Sequence, residues 1–268
     1  MQARLRRATR LPGRLLRHLR PPREDDPADN FEANRRLWER FARGWAPERA
    51  SLDVPVPWGK ERDSYVASTV VHLGDEWGRP SDVDEIVEAF VYPFVGERSV
   101  AAELGVGGGR IALKVVDRVR RLYALDISAA MLERARGALG PRANVEYVLL
   151  EEPRLPAELT ERVDFLYSFD VFVHFDLHMM RRMLGEIARV LVPAGKAFVH
   201  TTNLAAPGGW ERFAGQDSYS VKGHFFVSPE TVRILAERAG FRVVKSSSPD
   251  PANFYLNRDY LVVLEKRT

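Results

Sequence analysis

Residues 103–110 read Glu103-Leu104-Gly105-Val106-Gly107-Gly108-Gly109-Arg110, and this stretch decides the fold. It joins the apolar run Val100–Leu104 to the amphipathic run Ile111–Val119, so a strand passes through a glycine loop into a helix. Such a turn leaves bare backbone at the carboxyl edge of a sheet, where a ligand approaches without meeting a Cβ. A dinucleotide needs glycines spaced G-x-G-x-x-G, with its pyrophosphate at the helix N-terminus. Gly105 and Gly107 fit that spacing, but Arg110 stands where close helix–strand packing calls for a third glycine. The spacing E-x-G-x-G-x-G fits at every position: Glu103, Gly105, Gly107 and Gly109.

Outward from this loop, short apolar runs alternate with amphipathic helices, the pattern of a parallel sheet with crossovers. The predicted strands are Val100–Leu104, Leu122–Leu125, Val145–Leu150, Val163–Ser168 and Ala197–Thr201. Helices are expected at Ile111–Val119, Ala129–Leu139, Leu177–Leu191 and Glu230–Ala239, the last opened by Ser228-Pro229 and closed by Gly240. Phe241–Lys245 and Tyr260–Leu264 are joined by a loop too short for a helical crossover, so they should pair antiparallel. The expected fold is therefore α/β: a doubly wound, seven-stranded, mostly parallel sheet with an antiparallel C-terminal strand. Upstream, residues 30–95 read as an N-terminal helical cap. Phe31, Trp38, Phe41 and Trp45 recur at helical spacing, 63–73 form a short helix, and Ser81 caps another with Val83, Ile86, Val87, Phe90 and Phe94 on its apolar face. Three segments result: a tail over 1–29, the cap over 30–95, and the main domain over 96–268 with an insert at 203–227. That insert is long for a structureless connection, and such loops are usually functional lids.

The chain has 268 residues, enough for one full sheet between two helix layers. It has no cysteine, which excludes disulfides, thiolate metal sites and thiol nucleophiles and makes a cytoplasmic location the expectation. No apolar run approaches the roughly 20 residues of a membrane span, and an uninterrupted apolar secretory segment is not seen at the start. Residues 1–23 hold eight arginines and no acid; subtracting these eight charges from the net +3 leaves −5 for the rest. A mildly acidic body argues against nucleic acid as partner. The tail has two readings: a solvated, disordered segment, or a basic amphipathic one making weak contact with a membrane surface, although Pro12-Gly13 breaks it.

The second strand ends at Asp126, where a carboxylate can accept both hydroxyls of a ribose; dehydrogenases place an acid similarly. Asp126-Ile127-Ser128 is followed by Ala-Ala-Met131-Leu-Glu-Arg-Ala. With the glycine loop, this segment resembles the class I methyltransferases that use S-adenosylmethionine, whose pattern here is D-x-S-x-x-M-L-x-x-A. The resemblance covers roughly residues 98–268 and implies S-adenosylmethionine as cofactor. It implies that Glu103 lies near the methionine end, with Gly105, Val106, Gly107 and Gly109 forming the loop, and that Asp126, Ile127 and Ser128 hold the ribose. Met131 would enclose the adenine, its other reading being ordinary helix packing. The family's glycine–aspartate pair after strand three is replaced by Leu150-Glu151-Glu152, with Glu151 at the acidic place. The resemblance also implies that Ser168 and Phe169 lead from strand four under the methyl donor. Val192-Pro-Ala194-Gly195 resembles the family's L-x-P-G-G turn, with Ala194 in place of its first glycine.

Methyl transfer needs alignment, exclusion of water and, for a hydroxyl acceptor, removal of a proton. Three histidines are candidate bases. His174 follows strand four, with structuring the loop as its other reading; His224 lies in the insert; His200 lies within strand five, pointing into the core or along the sheet. Asn203, Trp210 and Tyr219 of the insert, with Trp77 of the cap, are candidate acceptor-binding residues, Trp77 having aromatic packing as its alternative. Asp170, His174 and His200 form only a weak metal pattern, and no metal is expected. The expected acceptor is a small polar molecule such as a sugar, methylated on oxygen. Its rivals are an amino-sugar or small amine methylated on nitrogen, a non-catalytic cofactor-binding partner subunit, and a membrane-bound lipid or quinone acceptor.

Overall fold

The computed structural model describes residues 30–50, 60–216 and 223–268. The readings of the 1–29 tail, and those of Trp58, Asp217 and Tyr219, lie outside the described residues. In chain order the elements are α1 (Asn30–Gly44), α2 (Lys60–Thr69), α3 (Pro80–Phe90), β1 (Val100–Leu104), α4 (Ala112–Val115), β2 (Arg121–Asp126), α5 (Ala129–Leu139), β3 (Val145–Leu149), β4 (Val163–Ser168), α6 (Leu177–Val190), β5 (Leu191–Thr202), α7 (Pro207–Ala214), α8 (Pro229–Arg238), β6 (Phe241–Ser246), α9 (Phe254–Arg258) and β7 (Asp259–Lys266). The seven strands form one sheet in the order β3-β2-β1-β4-β5-β7-β6. β7 runs antiparallel to both its neighbours, and the other pairs are parallel. The order reverses between β1 and β4, and a crevice opens beyond the carboxyl ends of strands at such a point.

Side-chain alternation gives the sheet two apolar faces. Leu166 of β4 packs in one core with Leu104, Leu184, Ile187 and Val262. Its neighbours Phe165 and Tyr167 pack in the other, with Ala101, Ile86, Val115 and Leu261. α6 meets the first core through a stripe at helical spacing (Met180, Leu184, Ile187), and Asp176 caps it by accepting the Met179 amide at 2.8 Å. Among the described residues no helix is long and apolar enough to cross a membrane.

Three local expectations are corrected. Ser81 does not cap α3: the helix starts at Pro80, whose ring fixes the first helical φ, and Arg79 at the cap makes no side-chain bond. The helix expected over 111–119 is only Ala112–Val115, followed by a tighter turn over Val116–Arg118. Its β-branched valines 115, 116 and 119 are poor helix formers. Strand five, expected at Ala197–Thr201, runs from Leu191 to Thr202, and Pro207 starts α7 within the 203–227 insert.

Ala194 adopts φ 60°, where a Cβ crowds the neighbouring carbonyl. It lies where five residues of β5 pass opposite two of β4, in the turn before the regular pairing begins at Lys196. Ala194→Gly is therefore expected to stabilise the fold by about 1 kcal/mol, read in thermal unfolding as a rise of about 2–4 °C.

Candidate active site

The glycine loop leaves β1 at the order reversal. Gly105 has φ 77°, and a Cβ there would stand 2.3 Å from Val171 Cγ2, so only glycine lets the loop pass under the end of β4. Gly107 has φ 53°, and a Cβ there would meet nothing within 4 Å. Space rather than packing lies over Gly107. Its N–H points the other way and donates to Asp126 Oδ2 at 2.9 Å. Asp126 Oδ1 accepts the Ser128 amide, also at 2.9 Å. Burial pushes the Asp126 carboxyl up to about 6 in spite of these amides. Each oxygen has accepted one bond and retains capacity for a ligand donor.

Ser128 continues the chain of contacts. Its hydroxyl accepts the Met131 amide at 3.1 Å, capping α5, and donates to Glu39 Oε2 of α1 at 2.7 Å. Glu39 also accepts the Ala130 amide at 3.1 Å and an Arg43 N–H at 2.8 Å. One carboxylate thus fastens the first helix to the helix after β2.

From there α1 carries Phe31, Asn34 and Trp38 over the crevice, and these line one cavity with Gly105, Gly107 and Asp126. Trp38 packs edge-on against Trp77 at 5.7 Å and His174 at 5.0 Å between ring centroids. Trp77 is held by its neighbour Glu76, which is buried and accepts the Trp45 indole N–H and the Gly74 amide. Asn30 and Asn34 donate their side-chain N–H groups to the His174 carbonyl at 3.1 and 3.3 Å. The His174 ring lies 3.2 Å from the Gly223 carbonyl through Nδ1, which must then carry the proton, leaving Nε2 as an acceptor. Burial lowers His174 to about 4 and its neighbour His224 to about 2, so both are neutral near pH 7.

A buried polar network backs the same wall. Asp170, just past β4, has φ 57°. Its Oδ2 takes the Arg110 guanidinium at 2.6 Å and the Tyr255 hydroxyl at 3.1 Å. Its amide donates to His200 Nδ1 at 3.0 Å, and His200 Nε2 faces Asp259 Oδ2 at 3.0 Å. The arginine at the third glycine position therefore ties the glycine loop to the end of β4.

Of the residues singled out in the sequence, Gly105, Gly107, Asp126, Ile127, Met131, Glu152, Phe169, His174 and Trp77 line one cavity. The others stand outside its wall. Glu103 is buried beneath the loop, and burial pushes its carboxyl well up. Val106 packs in the core, Gly109 lies against Leu139, and Ser168 donates to the Leu104 carbonyl at 2.9 Å. Ser128 acts from behind, and Glu151 is exposed on a neighbouring depression. His224 contacts His174 at 5.4 Å between centroids without lining the cavity. His200 is fully buried, with Nδ1 spent on the Asp170 amide. Asn203 closes its own turn by accepting the Ala205 amide, and Trp210 is 57% exposed on α7. Among the described residues no cluster of three or more His, Asp or Glu side chains is placed to hold a metal ion. Sequence reasoning passed over Asn34 and the methionines Met179 and Met183, and considered Asp170 only for a metal; all four are in the cavity wall. The available signal for Asn34 was its spacing: Asn30, Asn34 and Trp38 step by four, setting an amide on an apolar helix face.

Solved structures share this fold. An S-adenosylmethionine dependent methyltransferase from Mesorhizobium loti superposes with a TM-score of 0.55 at 18% identity, covering 70% of this chain and 99% of that one. Magnesium protoporphyrin IX methyltransferase from Synechocystis PCC 6803, solved with bound SAH (S-adenosylhomocysteine), gives 0.57 at 13% identity over 87% of this chain and 99% of that one. In sequence, Nodulation protein S of Rhizobium tropici is 21% identical over 215 residues, 78% of this chain and 83% of that protein. Residues 101–195 match the family model described as "Methyltransferase domain". Residues 101–195 thus form a methyltransferase domain, and the fold around them is the one that S-adenosylmethionine-dependent methyltransferases share. The site fits S-adenosylmethionine: a Cβ on Gly107 would enter open space, and the adjacent Asp126 has acceptor capacity to spare.

Because Asp126 titrates near 6 rather than at the ordinary 3.8, the free protein loses stability as pH rises through that interval. A ligand diol favours the ionised form, so SAH binding should strengthen about tenfold from pH 5 to pH 7. Calorimetric titration should show that slope in the wild type and a flat profile in Asp126→Asn.

Proposed function

We propose that this methyltransferase methylates a hydroxyl oxygen of a small polar acceptor, a sugar ring foremost. The observation that carries the reading is His174: a neutral imidazole with its proton fixed on Nδ1, in the wall that also holds the glycine loop and Asp126. In this reading Gly105 and Gly107 give the cofactor its bare bed, Asp126 takes the ribose hydroxyls, and Ile127, Met131 and Glu152 surround the adenine. Bound there, S-adenosylmethionine supplies a methyl group on a sulfonium sulfur, which keeps the bonding pair when the acceptor lone pair takes the methyl. The chain's part is alignment and one proton. Trp38 and Trp77 line the cavity with aromatic surface on which a ring can pack, the apolar wall excludes water, and His174 Nε2 receives the hydroxyl proton as the oxygen–carbon bond forms.

One observation favours a second reading. The burial that lowers His174 to about 4 also favours an uncharged amine, the form a nitrogen acceptor needs. Mass spectrometry of a pool of sugars and amino-sugars, incubated with labelled methyl donor, separates the two by the atom modified; a product labelled on oxygen is expected. His174→Ala should lower kcat by about 10²–10⁴-fold while SAH affinity stays within about twofold. In the wild type, with the methyl donor saturating so that Asp126 stays ionised, kcat/KM for the acceptor should hold level from about pH 8 to 6 and fall only as His174 protonates near 4. Unchanged turnover in His174→Ala would remove the residue from the mechanism.

A further inference from the structure

Asn34 is only 2% exposed and lies in the cavity wall beside His174. Its amide orientation is determined by its neighbours. Nδ2 has two carbonyl partners, Asn30 O at 2.8 Å and His174 O at 3.3 Å. Turned over, the amide would set oxygen against two oxygens. Oδ1 must therefore face away from both carbonyls, and there it is buried with no hydrogen-bond partner. Buried acceptors in folded proteins are nearly always paired, and one left alone in a ligand cavity marks the place of a ligand donor. The His174 ring lines the same cavity, and its Nε2 is also an acceptor, because Nδ1 holds the proton toward Gly223. The wall thus offers two acceptors from adjoining side chains. The chemistry that matches them is two neighbouring donors on one ring.

We propose that Asn34 determines acceptor specificity: its Oδ1 takes the O–H of the hydroxyl adjacent to the one that is methylated, so the substrate class is a vicinal diol. This rests on the reading of His174 as the group that receives the acceptor's proton. Asn34 is a binding residue here and moves no proton. The same amide joins both tasks, since its N–H side helps hold the His174 backbone while its oxygen meets the substrate.

Asn30 provides the control. It makes the same kind of anchor to His174 O, at 3.1 Å, but does not line the cavity. The experiment measures KM and kcat with methyl hexopyranosides and their monodeoxy analogues, and SAH affinity by calorimetry, for the wild-type full chain, Asn34→Ala and Asn30→Ala. For the glycoside that the wild type methylates, Asn34→Ala should raise KM about tenfold, with SAH affinity within about twofold. Removing the hydroxyl adjacent to the methylated one should raise the wild-type KM by a similar factor and the Asn34→Ala KM hardly at all. Asn30→Ala, which loses an anchor of His174 but no acceptor in the cavity wall, should keep the wild-type rise in KM when the adjacent hydroxyl is removed. Equal sensitivity to the missing hydroxyl in the two variants, or a deoxy analogue used by the wild type as well as its parent, would overturn the assignment of Asn34 while leaving sugar methylation standing. Loss of SAH affinity in Asn34→Ala would place the residue on the cofactor and overturn it too. If no glycoside were methylated by the wild type, the sugar reading would fall and the diol partner with it.

Discussion

The site depends on one buried carboxylate. Asp126 receives the amides of Gly107 and Ser128 on its two oxygens and so joins the glycine loop, the end of β2 and the start of α5. Charge-assisted bonds of this kind are about twice as strong as neutral ones. Burial nevertheless drives the group toward its neutral form, up to about 6. The amides of Gly107, Ser128 and Ile127 are not enough to hold the charge in so buried a place. Further donors at the same oxygens, such as a ribose diol supplies, would complete its solvation. The loop is thus ordered by a group that is itself left partly unsatisfied, which suits a binding site better than a purely structural joint.

The second constraint is the placement of α1. Glu39 fastens it to α5 near one end of the crevice, and Asn30 and Asn34 fasten it to the His174 backbone at the other. Between these clamps Trp38 packs against Trp77 and His174. The parallel sheet supplies the floor, and the helix from the start of the chain supplies the roof. Opposite, Arg110 and Tyr255 hold Asp170 in its positive φ, so the end of β4 cannot relax away from the glycine loop. Such left-handed non-glycine residues persist only where their surroundings over-determine them. Both walls are therefore positioned by charges and amides and finished with aromatic rings.

The floor was legible in the sequence because its signals are local. Glycine spacing, the acid at the end of β2 and the Ser128 cap each lie within a few residues of what they build, and alternation places the strands. The roof was less legible because its partners are far apart. Asn34 reads as a polar interruption on a helix until the fold sets it against His174, 140 residues away. Arg110 reads as a failed glycine until Asp170 comes beside it, 60 residues on. His200 shows the converse. Its residue type pointed to a base, but the strand turns it inward, where the Asp170 amide takes its free nitrogen. Trp210 and Asn203 were singled out by composition in a long insert. There α7 leaves Trp210 facing solvent, and Asn203 completes its own turn.

The most direct test of this account is calorimetric titration of SAH into Gly107→Asn. Asparagine tolerates the left-handed φ at this position, and its Cβ would meet nothing within 4 Å. The account predicts a protein with the wild-type unfolding transition and SAH affinity weakened by at least about tenfold. Wild-type affinity in that variant would mean that the cofactor does not lie over the bare loop, and the central claim would be lost.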